Sequence, residues 1–177
     1  MAAQLRLLGL EPGDITHVVN SHLHFDHCGC NALFTRAEIF VQGAEMRATR
    51  AARDADRRSD RDWEGPLNYR LLEGEHDLFG DGALVIVPTP GHTAGHQSLR
   101  VNTGSGLRFC LAGDACYTQE HLERDLLPSA GAVWKADEMR HSLGILRRLR
   151  DRDGAALIYG HDAAQLQSLR CCPDAFA

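Results

Sequence analysis

No run of about eighteen or more consecutive apolar residues occurs in the 177-residue chain, which excludes an ordinary membrane-crossing helix. The opening Met-Ala-Ala-Gln-Leu-Arg has no apolar centre of a secretory leader, so a cytoplasmic protein is expected. An excess of positive charge is also missing: 19 Lys and Arg stand against 24 Asp and Glu, for a net charge of -5. That balance argues against a concentrated basic face, and with it a nucleic-acid partner. Internal repeats and low-complexity tracts are absent. Length and a hydrophobic share of 44% fit one globular domain over 1–177. Neither Ser21 nor Ser98 sits in a nucleophile-elbow context, which makes covalent serine catalysis a poor fit.

Cysteine is present but is not arranged as a disulfide framework. With nothing directing the chain out of the cell, Cys28, Cys30, Cys110, Cys116, Cys171 and Cys172 read as reduced thiols. The one-residue spacing of Cys28-Gly-Cys30 does not match the usual zinc pairs, so packing or support roles are expected for both.

What is present is the run His22-Leu-His24-Phe-Asp26-His27. It follows Ile15 to Val19, which reads as a buried strand. Side chains alternate along extended backbone, so His22 and His24 share a face and can hold one ion. A bend after His24 aims Asp26 and His27 at a second position. Imidazole and carboxylate donors suit zinc, and also manganese, iron or cobalt.

The remaining pattern supplies further ligands from strand ends. Ala2 to Leu8 is a short helical pattern ended by Gly9, and Glu11 to Asp14 is turn chemistry. Ala37 to Gln42 reads as a second strand. Ala44 to Trp63 reads as a charged helix, with Arg47, Arg50, Arg53, Arg57 and Arg61 on one stripe. Glu45, Asp54, Asp56, Asp60, Asp62 and Glu64 offset them, as on a solvated face. Ala83 to Val87 is an apolar strand running into Pro88-Thr89-Pro90-Gly91-His92-Thr93-Ala94-Gly95-His96, a loop stiffened by its prolines and punctuated by its glycines. Gln97 to Thr103 and Gly106 to Ala112 pair around Gly104-Ser105-Gly106 and lead to Gly113-Asp114. Lys135 to Asp151 is the clearest amphipathic helix, with Met139, Leu143, Leu146 and Leu149 on one side. Ala155 to Tyr159 is a last strand ending in Gly160-His161-Asp162. Four strand ends thus deliver His or Asp, at residues 22 to 27, 92, 114 and 161, and ligands gathered on one sheet edge make a site.

These motifs, in this order, resemble those of the metallo-beta-lactamase superfamily. The resemblance is closest to the N-acyl homoserine lactone lactonases, through His22 to Asn31, Gly95 to Leu99, Tyr117 three residues after Asp114, and Gly160-His161-Asp162 with Gln165. It implies an α/β fold, the alpha-beta/beta-alpha sandwich. It also implies several strands ahead of the histidine motif, whereas only about fourteen residues precede the first strand here. The expected fold is therefore N-terminally shortened, with an uncovered edge that favours self-association and leaves room for a homodimer.

The resemblance further implies two divalent ions per chain, zinc first among the candidates. His22, His24 and His92 would hold one, Asp26, His27 and His161 the other, with Asp114 bridging both. His96 would be a structural hydrogen-bonding residue. The implied activity is quorum quenching: a metal-bridging hydroxide opens the lactone ring of N-acyl homoserine lactones, Tyr117 reaches the substrate carbonyl and Asp26 passes the proton. Two rivals remain. One is a glyoxalase-II-like thioesterase, whose acyl-glutathione substrate the arginine stripe would greet. The other is a non-catalytic metal-binding remnant.

Overall fold

The computed structural model describes residues 1–55, 63–170 and Asp174. Arg57 and Arg61 of the expected stripe, its offsets Asp56, Asp60 and Asp62, and Cys171 and Cys172 lie outside them.

The described residues form two sheets. The first is three-stranded and parallel, in the order β1 (His17–Val19), β2 (Glu38–Gln42), β3 (Asn68–Leu72). The second runs β4 (His76–Asp77), β5 (Leu84–Pro88), β6 (Gln97–Asn102), β7 (Arg108–Gly113), β8 (Ala156–Tyr159). Its first four strands are antiparallel and β8 joins β7 in parallel. The helices are α1 (Ala2–Leu7), α2 (Phe25–Cys28), α3 (Gly43–Ala55), α4 (Gln119–Arg124), α5 (Ala136–Asp151) and α6 (Ala163–Ser168). None of the described helices is long and apolar enough to cross a membrane.

Alternation along the strands sets the layers. On β2, Val41 packs with Met46 of α3, Leu23 and Trp63, while its neighbour Phe40 packs with Leu72 of β3 and Ile86 of β5. On the other side, Cys110 and Ala112 of β7 and Leu157 of β8 meet Leu143, Leu146 and Leu149 of α5. Helix, sheet, sheet, helix is the resulting order, the sandwich expected from the sequence. Each fully buried Leu or Ile contributes about 1.5–3 kcal/mol of burial.

The expected elements appear with shifted ends. The first strand begins at His17 rather than Ile15, and the charged helix is followed as far as Ala55. The bend after His24 is a single helical turn, α2. Strands β3 and β4 were not expected. β4 is two residues long and exists through pairing with Val85 and Ile86.

Candidate metal centre

Every ligand-bearing loop leaves a strand or begins a helix on the same edge of the sandwich. Two glycines make the close approach feasible. Gly91 has φ +131°, and a Cβ there would stand 2.2 Å from the Met139 backbone nitrogen. Gly113 has φ +55°, and a Cβ there would come within 2.8 Å of His96 Nε2. Both positions therefore favour a residue without a side chain.

The predicted ligands converge. His22, His24 and His92 place nitrogen atoms within 4.8 Å of one another, as do the donors of Asp26, His27 and His161, and those of His22, His27 and Asp114. His24 Nδ1 lies 2.9 Å from His22 Nε2 and 3.1 Å from His92 Nε2. Asp114 sits between the two triads. Its Oδ2 is 3.3 Å from His92 Nε2, and its Oδ1 is 3.3 Å from His27 Nε2 and 3.2 Å from His161 Nε2.

The donor set fits divalent metal on two observations. Asp114 Oδ1 is buried without a hydrogen bond, an arrangement that costs free energy unless a cation meets it. Two of the imidazoles, His22 and His92, are also held towards the neutral form that a metal ligand needs. Burial, with His96, His27, His24 and His92 close by, pushes His22 far below the usual histidine range. Burial lowers His92 despite the opposing pull of Asp114. Asp114 moves well below the carboxylate range: burial opposes ionisation, but His27, His22 and His92 outweigh it. The same contact raises His27 against its own burial.

Supporting residues fix these rings. His92 Nδ1 donates to the Ala132 carbonyl at 2.7 Å, which leaves Nε2 facing the site. Ser21 Oγ stands 3.1 Å from His22 Nδ1 and 3.0 Å from His27 Nδ1. His96 is fully buried; its Nε2 accepts from the Asp114 amide at 2.9 Å while Nδ1 meets Thr89. Burial pushes its pKa down to about 3. The structure thus places His96 behind the site as a neutral prop, as expected. Cys28 is buried with Sγ on the Leu23 carbonyl, and the described Cys30, Cys110 and Cys116 are free thiols.

Sequence reasoning missed Glu45. Read as one of the charges offsetting an exposed arginine stripe, it is instead 2% exposed. Its carboxylate accepts the amides of Leu23 at 3.1 Å and Gly95 at 2.9 Å, joining the His22–His27 loop to the loop of His92. Its place three residues after β2 gave no sign of this, because both partners are backbone groups. Of the arginine stripe, Arg47 pairs with Glu73 at 2.8 Å, away from the ligands.

Tyr117 lies beside two of these histidines. Its ring lies 4.6 Å from that of His161 and 5.9 Å from that of His92, centroid to centroid. Burial first, then the charge of Asp114, pushes its pKa up to about 12. Next to His24 and His92 opens a cavity of about 540 Å³, walled by Phe25, Ala48, Ala52, Trp63, Val133 and Trp134.

Residues 1–161 match the metallo-beta-lactamase superfamily. N-acyl homoserine lactonase AttM of Rhizobium johnstonii is 34% identical over 182 residues, covering 98% of this chain and 68% of that protein. N-acyl homoserine lactonase AiiA of Bacillus thuringiensis subsp. kurstaki is 34% identical, with 96% and 65% covered. Among solved structures, an N-acyl homoserine lactone hydrolase with the product N-hexanoyl-L-homoserine at its catalytic metal centre superposes with a TM-score of 0.85, at 31% identity, over 98% of this chain and 66% of that one. A mutant of B. thuringiensis AiiA with N-decanoyl-L-homoserine at its active site gives 0.84, at 31% identity, over 96% and 65%. The chain spans about two thirds of the length of the curated relatives it matches.

Proposed function

The chain belongs to the metallo-beta-lactamase superfamily, and from that premise we propose that it is a metal-dependent hydrolase opening the lactone ring of N-acyl homoserine lactones. The observation that carries this is the buried carboxylate of Asp114 set between two His-rich triads, with Tyr117 and an apolar cavity on the same face.

His22, His24 and His92 would hold one ion, and Asp26, His27 and His161 a second, with Asp114 shared. Zinc suits these nitrogen and carboxylate donors best, and manganese, iron and cobalt also match. Two bound divalent ions supply Lewis acidity and a hydroxide available near neutral pH.

The protein's own groups do the rest. The apolar cavity takes the acyl chain and turns the lactone carbonyl towards the triads. A phenol with its pKa near 12 stays protonated at neutral pH, so the Tyr117 hydroxyl remains a donor to the carbonyl oxygen as negative charge develops there. Asp26, with its carboxylate 46% exposed and 3.6 Å from His27 Nε2, carries the proton to the ring oxygen as the C–O bond breaks. Addition of water to the ester gives the open acyl-homoserine, whose new carboxyl group then releases one proton.

The same reading takes 1–177 as one such domain, acting on a small lactone rather than on nucleic acid or membrane, and quenching acyl-homoserine signals. The free thiols among the described residues suit the reducing cytoplasm.

The test is proton release on mixing the zinc- or manganese-supplemented chain with N-hexanoyl homoserine lactone, beside an acyl-glutathione thioester and a His22→Ala variant. Lactone turnover lost in the variant supports the reading. Thioester turnover alone would replace it with the thioesterase, and silence on both substrates would point to a metal-binding remnant.

A further inference from the structure

Tyr117 and His161 come from segments 44 residues apart, and backbone pairing brings them together. Past the ends of β7 and β8, Gly160 donates its amide to the Cys116 carbonyl at 3.2 Å and His161 to the Tyr117 carbonyl at 2.9 Å. There the backbone pairing stops. The next link is a side chain: Asp162 Oδ2 accepts the Gln119 amide at 3.0 Å. Its other oxygen, Oδ1, accepts the Gln165 amide at 3.0 Å. Gln165 in turn grips the end of β8, accepting from the Tyr159 amide at 2.9 Å and donating to the Leu157 carbonyl at 2.8 Å.

One carboxylate therefore fastens the first turns of α4 and α6 to each other, directly behind Tyr117 and His161. Each helix start has amides without partners in its own helix, and a carboxylate with an oxygen for each satisfies both at once.

We propose that Asp162 is a positioning residue, setting the Tyr117 hydroxyl and the His161 imidazole in one fixed relation to Asp114. Its link to turnover rests on the lactone-opening reading; its link to metal binding does not. Asp162 touches no substrate in this account. It acts through Gln119 on Tyr117, and through its chain neighbour on His161.

Gln119→Pro removes the amide that Oδ2 holds, and with it an exposed side-chain bond from Gln119 Nε2 to Glu123 Oε1 at 2.6 Å, while leaving Asp162 and its bond to Gln165 in place. Proline is well accommodated at the first position of a helix, and the preceding Thr118 is already extended at φ -142°, ψ 166°, as a residue before proline must be. Asp162→Ala removes both links. Each variant is made alone and in a Tyr117→Phe background. The readouts are kcat and KM on N-hexanoyl homoserine lactone, and affinity for each of two zinc ions by chelator competition without substrate. Gln119→Pro is expected to lower kcat about tenfold with KM little changed, and to cost almost nothing further once the Tyr117 hydroxyl is gone. Asp162→Ala is expected to weaken one zinc ion about 10- to 100-fold, the scale for losing a group that orients a ligand, and to spare the other.

Equal proportional losses in both backgrounds would overturn the proposal, since they signify general loosening. So would unchanged affinity for both ions in Asp162→Ala. If the wild type opens no lactone, the functional reading falls, and the zinc affinities still decide the role of Asp162.

Discussion

His92 Nδ1 lies 2.7 Å from the carbonyl oxygen of Ala132, forty residues further along the chain. The contact is one of three between those segments, since the Trp134 amide donates to the His92 carbonyl at 3.1 Å and the Lys135 amide to the Gly91 carbonyl at 3.0 Å. The segment that chooses the His92 tautomer thus also supplies Val133 and Trp134 to the wall of the apolar cavity. The His92 ring and the pocket wall are therefore fixed by one piece of backbone.

Such a site leaves a polar atom without its hydrogen bond. With Asp114 Oδ1 buried in that state, divalent metal should stabilise the fold by mass action, by about 4 kcal/mol at a thousandfold excess over Kd. Thermal unfolding with added zinc and then with a chelator checks this, and a melting temperature indifferent to both would contradict the occupancy argued above. His22→Ala should abolish most of the shift.

Glu45→Gln should destabilise the metal-free chain by about 1–3 kcal/mol, because an amide group can accept from only one of the two backbone amides that the carboxylate now serves. Loosening Leu23 and Gly95 together should also weaken zinc, since His22, His24 and His92 lie on the two loops that Glu45 joins. Urea unfolding and chelator competition measure the two effects separately. Stability lost with zinc affinity unchanged would show that Glu45 serves the fold alone.

Glu45 also shows what was legible in the sequence. The ligand motifs could be read because their spacing is local: His22 and His24 alternate on extended backbone, and the prolines and glycines around His92 announce a constrained loop. The long amphipathic helix α5 was equally plain, since burial at Met139, Leu143, Leu146 and Leu149 follows its period. Glu45 was hidden among charges of both signs, and its role depends on amides 22 and 50 residues away. The carbonyl of Ala132 carries no side-chain signature at all. Strand β4 is too short for a period to show, and its place comes from the neighbour it pairs with.

Tyr117→Phe keeps the ring against His161 and removes the hydroxyl. Turnover of N-hexanoyl homoserine lactone should fall by about 10²- to 10³-fold, the scale for one donor to a developing oxyanion, while zinc content stays that of the wild type. Steady-state kinetics with metal analysis of the same preparation makes the comparison. Unchanged turnover would remove Tyr117 from the mechanism.

Alkaline stability should depend on Cys110. Burial pushes this thiol from its ordinary 9.0 up to about 12, with Arg100 pulling weakly the other way. The folded chain therefore keeps a proton that the unfolded chain releases first. The stabilisation from the protonated thiol is whole below about pH 9 and is lost as pH rises from 9 towards 12. Urea unfolding of the wild type and Cys110→Ala should give a constant difference from pH 7 to 9 that shrinks at pH 10 and above. A difference constant throughout would mean that the thiol ionises alike in both states.

Acyl-chain preference should be set by small residues on α3. Ala48 and Ala52 are one helical turn apart, so they share a face, and both line the cavity opposite Val133 and Trp134. Each methylene buried there contributes about 0.8 kcal/mol. A phenylalanine at position 48 would occupy the space of the outer two or three, about 2 kcal/mol in all, and leave the space beside His24 and His92 open. Ala48→Phe should therefore lower kcat/KM for N-decanoyl homoserine lactone about 10- to 100-fold and change it less than about twofold for the N-butanoyl compound. The two substrates, assayed with one enzyme preparation, separate a blocked chain site from a damaged metal centre. An equal loss on both would mean a damaged metal centre, and an undiminished rate on the decanoyl compound would place the acyl chain elsewhere, since a side chain filling its site must tell four carbons from ten.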